Sequence, residues 1–258
     1  MIDTHSHIYS EEFDNDRDAA LQRAWDAGVE LLLLPDIDSS SRNRMLTLAS
    51  QHPERCRAMA GLHPTSVNDN PHWRDELDMV ERLLSEPPMP FVGVGEIGLD
   101  LYWSRDFYKE QREVLHSQIE LALQYNLPVA IHTRSAYGEM LDAIATYRGR
   151  GLRGVFHAYA DSSDTARKLS SLGDFMFGIG GVVTFKNSGL DKVVAELPLE
   201  LLVLETDCPY LTPVPHRGKR NESAYVEFVC RKVAEIYATD FEHVARQTTE
   251  NAKRIFNL

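Results

Sequence analysis

Phe91-Val92-Gly93-Val94-Gly95-Glu96 is a run of apolar and small residues that closes on an acid, and the same grammar recurs along the chain. His132 follows Val129-Ala130-Ile131, His157 follows Val155-Phe156, and Asp207 stands just past Leu201-Leu202-Val203-Leu204. Near the start, Asp3-Thr4-His5-Ser6-His7 closes the first such run. Strands that are apolar throughout belong to a parallel sheet covered on both faces, because a solvated face would impose alternation.

Between these runs lie amphipathic segments. Eight strands are expected, at Ile2–His5, Val29–Leu34, Arg57–Gly61, Phe91–Glu96, Val129–His132, Gly154–His157, Phe175–Ile179 and Leu201–Glu205. Helical spacing of apolar residues marks Asp14–Ala27, Ser39–Gln51, His72–Ser85, Phe107–Tyr125, Tyr137–Tyr147, Thr165–Leu172 and Leu190–Leu197, and two further helices end the chain. This alternation predicts an α/β fold, a single (β/α)8 TIM-type barrel spanning residues 1–258, with a doubly wound open sheet as the alternative. Closure is favoured because the polar residues that end strands one, four, five, six and eight then ring one C-terminal mouth. In an open sheet the first and last would lie far apart.

Composition agrees with one domain. The chain has 258 residues, and a barrel of this kind takes roughly 250. No stretch of about 18 apolar residues offers a membrane span, and no signal-like segment precedes the first strand. Three widely spaced cysteines, Cys56, Cys208 and Cys230, without a CxxC pair, predict reduced thiols and a cytoplasmic location.

Four histidines and two carboxylates at strand ends, His5, His7, Glu96, His132, His157 and Asp207, suit a two-metal hydrolase. Any one of them alone would more often be a hydrogen-bonded structural residue, so the joint pattern carries the expectation. His52, His72, His116 and His243 lack strand ends and read as surface or capping residues, with His63 and His216 intermediate. Net charge is −12, which disfavours broad electrostatic binding of nucleic acid. Two divalent ions facing two carboxylates would still leave a local positive charge for an anionic substrate.

At these residues the chain resembles the TatD family of metal-dependent hydrolases, related to the amidohydrolase barrels. The matching segments are Asp3-Thr4-His5-Ser6-His7, Gly61-Leu62-His63-Pro64, Gly95-Glu96-Ile97-Gly98-Leu99-Asp100, His132-Thr133-Arg134, Glu205-Thr206-Asp207-Cys208-Pro209-Tyr210-Leu211 and Arg217-Gly218-Lys219-Arg220-Asn221-Glu222. Gly-Glu-Ile-Gly-Leu-Asp combined with Glu-Thr-Asp-x-Pro is the most specific part. The chain departs from the usual family text at Ala158-Tyr159-Ala160-Asp161, at Leu101 and at Ser223; the first two alter the pocket wall and bear on substrate preference.

The resemblance implies one ion held by His5, His7 and Asp207, a second by His132 and His157, and Glu96 bridging both. It further implies a deoxyribonuclease, plausibly an exonuclease acting on single-stranded or frayed DNA ends through a hydroxide activated by the two ions, with Asp207 and Glu96 as catalytic residues. Imidazole-rich ligation suits zinc or manganese better than magnesium, although magnesium is often the family's assay cation. His63, Arg134, Arg217 and Lys219 are the candidate phosphate contacts, with Arg220 completing the basic segment after strand eight. Tyr102 and Trp103 could stack on a base or pack into the core, and Gly178–Gly181 reads as a turn. An amidohydrolase acting on a small amide, lactone or phosphoester is the alternative, and a non-catalytic binding barrel is the third reading.

Overall fold

The computed structural model describes residues 1–258. Its strands are β1 (Ile2–Asp3), β2 (Leu31–Leu34), β3 (Cys56–Ala58), β4 (Val94–Asp100), β5 (Val129–Arg134), β6 (Arg153–Phe156), β7 (Asp174–Ile179) and β8 (Leu202–Leu204). The main helices are α1 (Arg17–Asp26), α2 (Ser39–Gln51), α3 (Trp73–Ser85), α4 (Tyr108–Gln124), α5 (Tyr137–Ala145), α6 (Ser163–Ser170), α7 (Leu190–Ala195), α8 (Val226–Ile236) and α9 (Phe241–Phe256). Strand and helix alternate from β1 to β8, and every strand pair is parallel.

The strands form a run of three, β1-β2-β3, and a run of five, β4-β5-β6-β7-β8. Backbone bonds at both junctions join the runs into a barrel. Between β8 and β1, the Thr4 N–H donates to Leu204 O at 3.0 Å, Asp207 N–H to His5 O at 2.9 Å, and His7 N–H to Cys208 O at 3.0 Å. Between β3 and β4, Ala60 N–H donates to Gly93 O at 3.2 Å and Gly95 N–H to Ala60 O at 2.9 Å. Isolated parallel bridges, Ser6 with Cys208 and Ala60 with Val94, mark the same two seams.

Period-two alternation sorts each strand's side chains. Ile2, Leu33, Met59, Ala130, Val155, Met176 and Val203 form one buried cluster with Ala252, Ile255 and Phe256. These residues line the barrel interior, and α9 plugs its base. Leu32, Leu34, Ile131, Phe156, Phe177, Leu202 and Leu204 belong to a larger cluster of 60 buried residues between the strands and the helical ring. Two residues beyond the inner apolar layer come His132, His157, Gly178 and Glu205, on the same inward face. The polar centre is thus one layer above an apolar floor.

Two strand ends differ from expectation: β4 runs on past Glu96 to Asp100, and β5 runs on past His132 to Arg134. The register between β4 and β5 shifts between Val94 and Ile97, and Gly98 (φ 154°) admits the β5 backbone at His132, where a Cβ would collide with the carbonyl oxygen. Gly98 thereby lets the strand continue beyond Glu96.

Asn251 of α9 donates to Leu199 O at 2.8 Å and Leu202 O at 2.7 Å, tying the plug to the last strand. Asn251→Ala leaves both carbonyls buried without that donor and should lower unfolding free energy by roughly 1–3 kcal/mol. A denaturation midpoint unchanged from the parent would show that the plug contributes no such anchor.

Candidate metal centre

Glu96 organises the mouth. Its Oε2 lies 3.0 Å from His5 Nε2 and 3.5 Å from His7 Nε2. Its Oε1 lies 2.8 Å from His157 Nε2, 3.0 Å from His132 Nδ1 and 3.3 Å from His63 Nε2. Asp207 Oδ1 sits 3.5 Å from His7 Nε2 and 3.9 Å from His5 Nε2, on the Oε2 side. The two oxygens of one carboxylate therefore face two different sets of donors.

Partners behind the rings decide which nitrogen carries a lone pair. The Tyr9 hydroxyl donates to Pro35 O at 2.5 Å, so it accepts from His7 Nδ1–H at 2.8 Å and leaves Nε2 free as a donor of electrons. His132 Nε2–H donates to Asp100 Oδ2 at 3.0 Å, which turns the Nδ1 lone pair toward Glu96. His63 is arranged the other way: the Thr65 N–H donates to its Nδ1 at 3.1 Å, so its proton sits on Nε2 and points into the site. Burial keeps His63 neutral by lowering its pKa. It is built as a hydrogen-bond donor.

Glu205 completes the floor of the site. Its Oε1 accepts from Ala158 N–H at 2.5 Å and lies 3.6 Å from His157 Nδ1. Gly178 is required beside it, because a Cβ there would run into the Glu205 carboxylate. The loop carrying Asp207 is held by Asp3, which accepts from Thr206 N–H at 2.9 Å and Thr206 Oγ1 at 2.6 Å. Asn221 Nδ2 also donates to Thr206 O at 2.8 Å. Asp207 itself adopts φ 54°, a left-handed conformation that aspartate tolerates better than most residues.

The electrostatics demand a cation. Burial works against charge on Glu96, but the imidazoles around it, His157 foremost, together with the hydrogen bond from His132, outweigh it and hold the carboxyl well below the usual range. Asp207 is likewise held low, against burial, by the hydrogen bond from His7 and the charges of His157 and His5. Burial also disfavours charged His7, yet its bonds to Asp207 and Glu96 push it up to about 9. Protons here occupy the place that divalent ions would take. Buried His5 Nδ1, His157 Nδ1 and Glu205 Oε2 have no hydrogen-bond partner. Imidazole nitrogens and carboxylates converging with fixed tautomers fit divalent-metal ligation.

Of the substrate candidates, His63 lies within this cluster, 3.3 Å from Glu96, and the other three lie outside it. Arg134 is exposed at the rim, its guanidinium 3.8 Å over the Tyr102 ring. Arg217 is exposed and lies 3.8 Å over Phe185, beside Lys186, while the exposed Lys219 offers its backbone oxygen to Thr212. Arg220 is committed to Asp16, at 2.7 and 2.8 Å. His216 stacks on Tyr225, with centroids 4.2 Å apart. His116, expected at the surface, is half-buried because its Nδ1 bonds Tyr147 across to the next helix at 2.6 Å. Tyr9, Asp100 and Glu205 were not singled out as supports; Asp100 and Glu205 fall within segments that match the family, but their partners His132 and Ala158 lie far along the chain.

A profile of the family described as TatD related DNase matches residues 2–257. The chain belongs to the TatD family of metal-dependent hydrolases. It is 35% identical over 263 residues to the uncharacterized metal-dependent hydrolase YabD of Bacillus subtilis (strain 168), covering 100% of this chain and 99% of that one. It is 30% identical to the 3'-5' ssDNA/RNA exonuclease TatD of Erwinia tasmaniensis, with 100% of both chains covered. The crystal structure of the TatD homologue YjjV from Escherichia coli K12 superposes with a TM-score of 0.91 at 30% identity, covering 100% of this chain and 98% of that one. Like these relatives, this TatD-family chain is an enzyme of the metal-dependent hydrolase class.

Asp100→Ala removes the carboxylate that orients His132 and should weaken divalent-ion affinity roughly 10–100-fold. Equal affinity for parent and variant in a competitive chelator titration would rule out that role. Binding should also release protons. With His7 pushed from 6.5 to about 9 and His157 raised as well, both rings carry protons at neutral pH that binding must displace, so affinity should rise with pH through the neutral range. The slope should be about tenfold per pH unit for each proton displaced. Calorimetry in two buffers of different ionisation enthalpy reads this directly, and identical heats at neutral pH would count against it.

Proposed function

We propose that this TatD-family enzyme is a two-ion phosphodiester hydrolase that removes nucleotides from single-stranded or frayed DNA ends. The observation that carries the two-ion reading is the division of donors by Glu96. His5, His7 and Asp207 gather toward Oε2, and His132 and His157 toward Oε1. With donors on both sides, Glu96 is the residue that two ions would share, His5, His7 and Asp207 holding one and His132 and His157 the other. We assign zinc ahead of magnesium, because four imidazoles suit the softer ion.

When bound, such ions lower the pKa of water and polarise phosphoryl oxygens. The chain's own groups do the rest. Asp207, held ionised, accepts the water proton on the oxygen that faces the mouth. His63 Nε2–H donates to a non-bridging phosphate oxygen, a role its fixed tautomer suits. Arg134 at the rim supplies a cation for a neighbouring phosphate, and Arg217 and Lys219 serve phosphates further along the strand. The relative described as an ssDNA/RNA exonuclease supports a nucleic-acid substrate. We further take residues 1–258 as one domain, and place it in the cytoplasm because its three cysteines are buried and unpaired. No helix is long and apolar enough to cross a membrane.

Elemental analysis should find up to two transition-metal ions per chain, both lost or weakened in Glu96→Ala. Normal occupancy of both sites in that variant would overturn the bridging role. Asp207→Asn should keep part of the metal and lose roughly 10²–10⁴-fold in turnover of single-stranded DNA. Near-parental turnover would assign the proton to another group. A panel of single-stranded DNA, duplex DNA, RNA and small esters decides the substrate class, and exclusive activity on a small ester would move the enzyme to the amidohydrolase reading.

A further inference from the structure

Tyr102 and Trp103 were expected either in the core or on a base; they are 56% and 69% exposed, which excludes the core. They follow β4 directly, and their position is tied to the metal centre. The Tyr102 N–H donates to Asp100 Oδ1 at 3.0 Å, while Asp100 Oδ2 holds His132 at 3.0 Å. One carboxylate therefore fixes both a site histidine and the start of the aromatic loop.

Arg134 adds a third member. It is in register with Asp100 across the β4–β5 pair, and its carbonyl accepts from Leu101 N–H at 3.0 Å. Its guanidinium lies 3.8 Å from the Tyr102 centroid and 5.5 Å from that of Trp103. The two rings meet edge to face at 5.0 Å. Tyr102 is thus partly covered by the cation, whereas Trp103 presents the larger free surface. An exposed tryptophan braced by a tyrosine and a guanidinium, beside a buried polar centre, matches a ligand that carries an aromatic plane and an anion together.

We propose that Trp103 is a stacking platform for an unpaired nucleobase next to the scissile phosphate, with Tyr102 and Arg134 bracing it and Arg134 facing the adjoining phosphate. The inference rests on the nuclease reading above and sharpens it, because a stacking surface accepts any base but requires one that is not already stacked in a duplex. A second copy of this chain is the competing occupant. It fits less well, since the Arg134 guanidinium against the rings suits an occupant that brings an anion beside its aromatic plane.

The metal-loaded enzyme is assayed on a single-stranded oligonucleotide and on the same strand with abasic residues at its two terminal positions. Trp103→Ala should raise KM on the intact strand roughly 5–150-fold, as loss of one stacked base does, with a much smaller effect on kcat. Trp103→Phe should recover most of the loss. The loss on the intact strand should exceed that on the abasic strand at least fivefold. An equal loss on both strands, or none on the intact one, overturns the platform while leaving the nuclease reading in place. Failure of the parent to cleave any oligonucleotide removes both. Conversion of a parental dimer to a monomer by Trp103→Ala, read by sedimentation, would assign the aromatics to an interface between copies and overturn the platform.

Discussion

The Glu96 carboxylate, 3% exposed and approached by five imidazole rings, is the constraint to which the rest of the mouth answers. A buried carboxylate is tolerated only with positive charge close by. Neutral imidazoles do not provide it, and protonated ones crowd against each other, as the stacked rings of His5 and His157 at 3.8 Å would. Divalent ions relieve both problems at once, accepting the lone pairs of the rings and the charge of the acid. The supports behind the rings make sense on this view. Tyr9 and Asp100 hold His7 and His132 in ligand-ready tautomers before any ion arrives, so little ordering remains to be done on binding.

That arrangement depends on the barrel being closed. His5 and Asp207 come from opposite ends of the chain, and only the β1–β8 bonds put them on the same side of Glu96. The inner layer of Ile2, Leu33, Met59, Ala130, Val155, Met176 and Val203, plugged below by α9, keeps the ring of strands rigid beneath them. Asp3 shows how closely stability and site are joined. Burial pushes its carboxyl up to about 7, and it is retained because the Thr206 backbone and hydroxyl need an acceptor there. Without that clamp the residue after Thr206 would have no fixed position relative to β1.

The fold was legible because parallel barrel strands are buried on both faces and leave continuous apolar runs such as Leu31-Leu32-Leu33-Leu34. The six donors were legible because they follow such runs, and the structure gathers all six with His63. What escaped the sequence were groups whose purpose lies in a partner far along the chain. Asp100 stands 32 residues from His132, and Glu205 lies 47 from Ala158. Neither pairing leaves a local periodic trace. The strand end after Glu96 was misplaced for a related reason. Gly98 lies just past the expected end and is needed by the neighbouring strand, where a Cβ would meet the His132 carbonyl, so β4 continues through it.

On the nuclease proposal, an acidic enzyme acting on an anionic substrate has to separate long-range from contact-range electrostatics. At physiological salt, exposed charges fade over about 8 Å, so the net charge of −12 governs approach far more than docking. What such a substrate would meet within the mouth on the proposed reading is different in sign: the His63 Nε2–H, the Arg134 guanidinium and a cation at Glu96 and Asp207. Arg220 is already spent on Asp16 and cannot contribute, which thins the basic rim after β8 to Arg217 and Lys219. A surface so sparing of free cations offers no track for a long duplex. It can grip a short stretch of chain only by combining a few polar contacts with apolar area. The exposed rings of Tyr102, Trp103 and Tyr210, carried on the loops after β4 and β8, place that area around the mouth itself.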